Sequence, residues 1–155
     1  MDVLKQTAFL RLYAFFKIPL LAWIQPVLQE VGTKTVVKIP LSRRTKNHLG
    51  VMYFGALAMG AEAAVAINAV DTIRRSGKKV DFIFKDFHAD FLKRADGDVL
   101  FICEEGQGVA ALVEKTIQSG QRETETFHSY AIVPAKDPTI KVAEFKVSLS
   151  VKYRG

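Results

Sequence analysis

One carboxylate stands alone in a long apolar segment near the middle of the chain. Glu62 is flanked by Ala61, Ala63 and Ala64, and residues 52–75 are mostly small and apolar. A helix that is apolar on every side is a buried helix, and a glutamate is seldom buried without a partner or a function. The carboxylate therefore lies on a solvated strip, pairs with a structural arginine, or takes part in chemistry.

The spacing around this carboxylate favours chemistry. Gly55 lies seven residues before Glu62, so both lie on one face of the predicted helix, and Asn47 and Gly50 suit a turn that leads into its first turn. The first N–H groups of a helix have no intrahelical acceptor and can bind an oxyanion. Acyl transfer requires such an amide to polarise a carbonyl and a carboxylate to activate or supply a nucleophile.

These two groups cannot serve one carbonyl within a single chain. Along one helix, Gly55 and Glu62 are about 10 Å apart, because each residue advances the helix by about 1.5 Å. A paired arrangement of two helices would bring Gly55 of one chain near Glu62 of the other. We therefore expect at least a homodimer, with a homotetramer built as a dimer of dimers as the other possibility.

The segment resembles the central helix of hotdog-fold acyl-thioesterases, in the branch typified by phenylacetyl-CoA thioesterase. The residues that carry the resemblance, in the same spacing and without a gap, are Asn47, Gly50, Tyr53, Phe54, Gly55 and Glu62. The resemblance implies that Asn47 orients the site, that the Gly55 amide polarises a thioester, and that Glu62 is the nucleophile or general base. Tyr53 stands where that branch has His, and Phe54 where it has Gly.

These two departures leave two functions open. Tyr53 can donate a hydrogen bond, but a phenol with a pKa of about 10 is a poor base near neutral pH. Phe54 places a large ring where glycine would let the backbone approach the substrate. Both side chains are expected to contact a bound acyl group. The protein is either an acyl-thioester hydrolase or a non-catalytic acyl-thioester-binding or lipid-binding protein that keeps the pocket.

The chain is also similar, over nearly its whole length, to uncharacterised bacterial proteins described as hotdog or thioesterase-like domains. The shared segments are residues 44–50 (RTKNHLG), 84–86 (FKD) and 91–95 (FLKRA). This resemblance implies the fold and brings no particular substrate.

Charge and composition narrow the expected partners. The formal net charge of +6 suits an anionic carrier, so acyl-CoA or acyl carrier protein is the expected partner. Arg43 and Arg44 lie in a basic loop before the helix and are candidate phosphate contacts, although such loops are often simply solvated turns. Nucleic acid is not expected, because the basic residues are scattered and no recognition motif is present.

No metal site and no cofactor are predicted, apart from coenzyme A as part of the substrate. The three histidines are far apart in sequence, and there is no pair of cysteines. The lone Cys103 is predicted to be a small buried residue in a strand.

The N-terminal segment, residues 1–24, is predicted to be helical and packed on a single domain that spans residues 1–155. Leu4, Ala8, Leu12 and Phe15 recur at helical spacing, which predicts a face that packs. Prolines and basic residues keep every apolar run shorter than the roughly 20 residues that span a bilayer, and no signal-peptide cleavage site is apparent. A cytoplasmic location is therefore expected and membrane contact is not, with peripheral contact of this segment as the alternative.

The order of the elements predicts the fold class. The first helix is predicted to begin at Asp2, and two strands follow the N-terminal segment. The long helix comes next, from about Met52 to about Arg75, with Gly77 as its C-terminal stop. Four strands complete the chain, the first from Val80 to about Arg94, with one short inserted helix that begins at about Gly108. One buried helix with strands joined by hairpin turns predicts an α+β fold in which an antiparallel sheet wraps around the helix. This is the hotdog fold that the resemblance also implies, with an extra N-terminal helix.

Overall fold

The computed structural model describes the backbone of residues 3–155 and the side chains of residues 4–155. Its helices are α1 (Val3–Lys17), α2 (Pro19–Trp23), α3 (Phe54–Ser76) and α4 (Gly106–Ser119). Its strands are β1 (Val27–Glu30), β2 (Thr35–Ile39), β3 (Val80–Phe91), β4 (Val99–Cys103), β5 (Glu123–Val133) and β6 (Asp137–Tyr153). Asp2, where the first helix was predicted to begin, lies outside the described residues.

The six strands form one antiparallel sheet in the order β1-β2-β4-β5-β6-β3. The long hairpin of β5 and β6 lies inside the sheet, and β1 and β3 form its two edges. Helix α3 packs across the concave side, against β2, β4 and β5. The predicted α+β hotdog architecture, with a long central helix and an additional N-terminal helix, is confirmed.

Small residues let the sheet close around α3. Gly60 is buried against the ring of Phe101 on β4, and a Cβ atom at Gly60 would overlap that ring. The core beneath the helix contains three large rings, those of Phe101, Phe127 and Phe145. Among the described residues, α3 is the one helix long and apolar enough to cross a membrane, but most of it is buried in the protein. It is therefore the core helix of the domain.

The boundaries of several elements differ slightly from those predicted. Helix α3 begins at Phe54 rather than near Met52, because Met52 is held in an isolated bridge with Lys46. Strand β3 ends at Phe91 rather than near Arg94, because the next two N–H groups both donate to the Val142 carbonyl. Helix α4 begins at Gly106, two residues earlier than predicted.

The predicted strand position of Cys103 is correct. Cys103 is the last residue of β4, and its side chain is fully buried. Burial raises the pKa of the Cys103 thiol to about 11. The thiol is therefore protonated and unreactive at neutral pH.

The N-terminal helix lies on the body by a different face from the one predicted. Thr7 and Ala14 are buried, and the Thr7 hydroxyl exchanges two hydrogen bonds with the backbone of Leu28 on β1 (3.1 and 3.2 Å). Leu12 and Phe15, which were predicted to pack, are instead exposed. The prediction for this face is wrong, because helical spacing identifies an apolar face without showing which of two apolar faces meets the core.

Candidate functional site

Asn47 shapes the loop that leads into α3, residues 40–53. Its side-chain Oδ1 accepts hydrogen bonds from the backbone N–H groups of Leu49 (2.9 Å) and Val51 (3.4 Å), and its own N–H donates to the Val51 carbonyl (2.8 Å). Gly50 completes this turn with a φ of +77°, which favours glycine. The Asn47 side-chain nitrogen has no acceptor among the described residues, so it is the part of the amide that can reach a ligand.

Tyr53 and Gly55 form the start of α3. Tyr53 is the N-cap in an extended conformation, and its N–H donates to the Thr45 carbonyl (2.7 Å). Gly55 is the second helical residue, and within residues 3–155 its N–H has no hydrogen-bond acceptor. The Tyr53 ring lies directly over Gly55, where an added Cβ would be 2.5 Å from the ring Cε1. A larger residue at position 55 would therefore require the half-exposed Tyr53 ring to move, and in its present position this ring partly covers Gly55.

Phe54 extends this aromatic surface toward the sheet edge. Its side chain is 60 % exposed, with the ring centroid 4.8 Å from that of Tyr53 and 6.3 Å from that of Phe91 on β3. The helix start is thus an exposed apolar surface next to an edge strand. The predicted contact of Tyr53 and Phe54 with a bound acyl group stays a prediction.

Glu62 lies at the junction of two clefts on the side of α3 that faces α1. The narrower one, called the apolar cleft here, has a volume of about 90 Å³ and runs between α1, α2 and α3, with walls that include Leu10, Leu21 and Ala66. The wider one, called the basic cleft, has a volume of about 500 Å³ and extends toward the start of β3. Glu62 is the carboxylate shared by both clefts.

Burial raises the pKa of the Glu62 carboxyl above its ordinary value. The cause is desolvation, because no side chain in the described part of the protein forms a hydrogen bond or ion pair with this carboxylate. A glutamate held by a structural arginine would have a lowered pKa. The structure therefore favours a carboxylate available for proton transfer over one fixed by a cation.

Three basic side chains that sequence reasoning did not connect with the site line the basic cleft: Lys17, Arg122 and Arg154. Arg122 donates to the Ser150 hydroxyl (3.0 Å), and Arg154 pairs with Asp81. These residues lie far apart in the chain, so no local pattern could have brought them together. They outnumber the two carboxylates of the same lining, Glu62 and Asp81, so the cleft has an excess of positive charge.

The basic loop contains Arg43 and Arg44, the two predicted phosphate contacts. Both are exposed, and the Arg44 guanidinium lies 4.7 Å from the centroid of the Trp23 ring at the end of α2. Arg44 therefore has a structural contact with the N-terminal segment. Arg43 makes no such contact with an aromatic ring among residues 4–155, and its predicted contact with phosphate stays a prediction.

No group of three or more His, Cys, Asp or Glu side chains in the described part of the chain is arranged to hold a metal ion. The groups that the candidate site does present are a carboxylate, helix N-terminal amides and basic side chains. These are the groups used in acyl transfer with an anionic carrier.

The same fold occurs in several solved bacterial structures. A protein of unknown function from Chlorobaculum tepidum superposes with a TM-score of 0.81 at 11% identity, covering 98% of this chain and 97% of that one. A thioesterase family protein from Silicibacter pomeroyi gives a TM-score of 0.67 at 12% identity, covering 96% and 99%. A mutant thioesterase from Pseudomonas aeruginosa gives 0.67 at 11% identity, covering 99% and 96%.

These likenesses define the class: the chain has the hotdog fold of thioesterase-like proteins, as the resemblance in its sequence predicted. Residues 6–126 match the family described as Domain of unknown function (DUF4442), and the chain belongs to that family. No curated protein sequence matches the chain.

Proposed function

We propose that this protein is an acyl-thioester hydrolase that acts on an acyl-CoA or acyl-carrier-protein thioester. The observation that carries the proposal is the position of Glu62: a partly buried carboxylate with a raised pKa and no cation partner in the described chain, placed between an apolar and a basic cleft. An apolar cleft suits an acyl chain, and a basic cleft suits the phosphates of the carrier.

In the proposed reaction, Glu62 removes a proton from a water molecule, and the hydroxide forms a bond to the thioester carbonyl carbon. The carbonyl oxygen becomes an oxyanion that accepts a hydrogen bond from the Gly55 amide, with Asn47 orienting the group. Collapse breaks the C–S bond, and the leaving thiolate takes the proton that Glu62 holds. The products are a carboxylic acid and a thiol. In the variant of this scheme with Glu62 as nucleophile, water opens a mixed anhydride instead.

A second subunit is part of the proposal, because Gly55 and Glu62 are about 10 Å apart along α3. The geometry of β3 supports a second subunit, because β3 is a 12-residue edge strand with exposed Ile83, Phe87 and Phe91. A long apolar edge strand is a template for pairing with another chain. We propose a homodimer, or a dimer of dimers, in which one subunit supplies Glu62 and its partner supplies Gly55.

The test is thiol release from a panel of short, aromatic and long acyl-CoA substrates. We expect Glu62→Gln to lower kcat by at least about 100-fold, the usual contribution of a general base. The matched control is Glu114→Gln, which removes an exposed carboxylate from α4 and should leave the rate within about twofold. The buried Cys103 thiol should not react with the thiol reagent. Full activity of folded Glu62→Gln would refute the assigned role.

A second function, acyl-thioester or lipid binding without catalysis, is supported by the Tyr53 ring over Gly55. That ring limits access to the amide on which the oxyanion would depend. If wild-type protein binds a non-hydrolysable acyl-CoA thioether by calorimetry but releases no thiol from the panel, the binding function replaces the hydrolase. Tyr53→Ala then tests the cause, because an unshielded amide should give measurable release.

A further inference from the structure

Helices α1 and α2 expose several large apolar side chains to solvent. Five of these side chains, each 56–71 % exposed, are together called the outer face: Leu12, Phe15, Phe16, Leu20 and Trp23. Single exposed apolar residues are common on proteins, but a cluster of five large ones on two consecutive helices is unusual. Such a patch normally marks a surface that meets an apolar partner.

The outer face has no part in holding the helices on the body. Helix α1 meets the domain through Thr7, Leu10 and Ala14, which lie on the opposite side of the helix from Leu12 and Phe16. The apolar character of the outer face is therefore unexplained by the packing of this chain.

The charged side chains that α1 and α2 themselves carry are all of one sign. Residues 3–29 contain no Asp or Glu, whereas Lys5 lies on the exposed side of α1 with Leu12 and Phe16, and Lys17 ends the helix. Arg44 adds a further cation above the Trp23 ring (4.7 Å). An apolar helix face flanked by cations, with a tryptophan at its margin, is typical of a helix that lies in the interface of a membrane.

We propose that α1 and α2 dock on the surface of an anionic lipid bilayer, with the outer face among the headgroups and upper acyl chains and the cations against lipid phosphates. A second copy of this chain fits less well, because a symmetric contact would place Lys5, Lys17 and Arg44 opposite the same cations, and residues 3–29 contribute no carboxylate to offset them. Anionic lipid supplies both the apolar phase and the opposite charge. The proposal develops the alternative of peripheral membrane contact that the sequence left open for this segment, in place of the expectation that its apolar face packs on the domain. It does not depend on the proposed catalysis.

The experiment uses the full chain with vesicles of phosphatidylcholine and phosphatidylserine, and with vesicles of phosphatidylcholine alone. Trp23 is the single tryptophan, so its emission reports directly on the outer face. We expect co-sedimentation with the anionic vesicles that weakens at raised salt, together with a blue shift of the Trp23 emission. Absence of sedimentation, equal binding to neutral vesicles, or binding with unchanged Trp23 emission would each overturn the proposal.

Paired variants distinguish vesicle binding through the outer face from nonspecific hydrophobic or electrostatic binding by other surfaces. Phe16→Ser/Leu20→Ser should weaken vesicle binding at least about tenfold, because it removes two large apolar groups from the contact. Leu49→Ser/Leu92→Ser removes two comparably exposed apolar side chains elsewhere and should change binding less than about twofold. Lys5→Glu should weaken binding to anionic vesicles about fivefold or more, and Lys93→Glu, at an exposed position just after β3, should not.

Circular dichroism of each variant establishes that it folds, which is expected because the substituted side chains are exposed. Equal losses for the two Ser pairs would show that the outer face is not the contact. Light scattering distinguishes the other occupant: if Phe16→Ser/Leu20→Ser lowers the molar mass of the protein without affecting vesicle binding, a second copy covers this face and the proposal is wrong.

Discussion

Helices α1 and α3 are both predominantly apolar, yet the fold treats them in opposite ways. Most of the apolar residues of α3 are buried beneath the sheet, whereas Leu12, Phe15 and Phe16 of α1 face outward. The two differ in residue size: α3 is built from Ala, Gly and Val, while α1 carries Phe, Tyr and Leu on several sides. Apolar composition alone therefore does not determine burial in this domain.

Size matters because the sheet has to approach the backbone of the helix that it encloses. Gly60 lets the Phe101 ring lie against α3, and the alanines around Glu62 keep that helix thin. Helix α1 is instead attached mainly to β1, where Thr7 bonds to the backbone of Leu28, so a narrow contact through Thr7 and Ala14 suffices. Helix α3, with its small side chains, therefore forms the core, and α1, with its large ones, covers the domain and leaves its outer face free to contact a partner.

The largest expected effect comes from adding one methyl group to α3. Gly60→Ala should lower the free energy of unfolding by about 2 to 3 kcal/mol, because overlap with the Phe101 ring outweighs the gain of about 1 kcal/mol in helix propensity. Phe16→Ala, which removes a whole ring from α1, should change it by less than about 0.5 kcal/mol. Denaturant unfolding measures both. A larger effect at Phe16 than at Gly60 would invert the comparison.

A buried polar contact should rank second. The Asn68 side-chain amide on α3 donates to the Thr35 hydroxyl on β2, and both residues are buried. Asn68→Ala should cost about 2 kcal/mol, because it leaves the hydroxyl without its partner in the core. Thr35→Val completes a double-mutant cycle measured by thermal unfolding. A coupling energy near zero would show that the hydrogen bond does not stabilise the helix–sheet contact.

The sequence predicts α3 well because its signal is local. Small apolar residues, the Gly77 stop and two closing arginines lie within one segment, and Gly77 is found in the left-handed C-cap conformation as expected. The sequence could not orient α1, because aromatic residues occur on both sides: Phe9 and Tyr13 line the apolar cleft, while Phe16 points outward.

The candidate site likewise has one part that the sequence could suggest and another that only the folded structure reveals. Asn47, Gly55 and Glu62 share one local spacing, so sequence reasoning identified them as a set. The basic cleft is assembled from residues 17, 122 and 154, which only the folded sheet brings together. The sequence also could not predict that Asn47 Oδ1 accepts hydrogen bonds from the N–H groups of Leu49 and Val51, because these bonds depend on the path of the backbone after residue 47.

A smaller effect is expected where α1 is attached. Thr7→Val removes both hydrogen bonds between the Thr7 hydroxyl and Leu28, at a cost of about 1 kcal/mol. The cost should appear as faster hydrogen exchange in α1, with α3 unaffected, because α1 has few contacts with the rest of the domain. Equal acceleration in both helices would show that α1 belongs to the same cooperative unit as the core.

The smallest effect should be a pH dependence that originates at Glu62, where α1 and α3 meet. Burial raises the pKa of this carboxyl above 4.5, so the folded protein retains the proton to higher pH than the unfolded chain does. Below pH 4.5 the group is neutral in both states and carries no cost of ionisation. As the pH rises through the raised pKa, ionisation in the partly buried site makes wild type progressively less stable than Glu62→Gln.

We would measure the free energy of unfolding of wild type and of Glu62→Gln from pH 4, where carboxyl groups ordinarily titrate, to neutral pH. The two values should diverge as the pH rises, with the variant becoming the more stable protein. Glu114→Gln, at an exposed position, should show no such divergence. A constant difference would mean that the Glu62 carboxylate is fully solvated.

Because Leu10 and Tyr13 of α1 line the clefts beside Glu62, loosening α1 with Thr7→Val should hydrate the carboxylate and reduce the divergence. Burial of Glu62 would then depend on the cover that α1 provides.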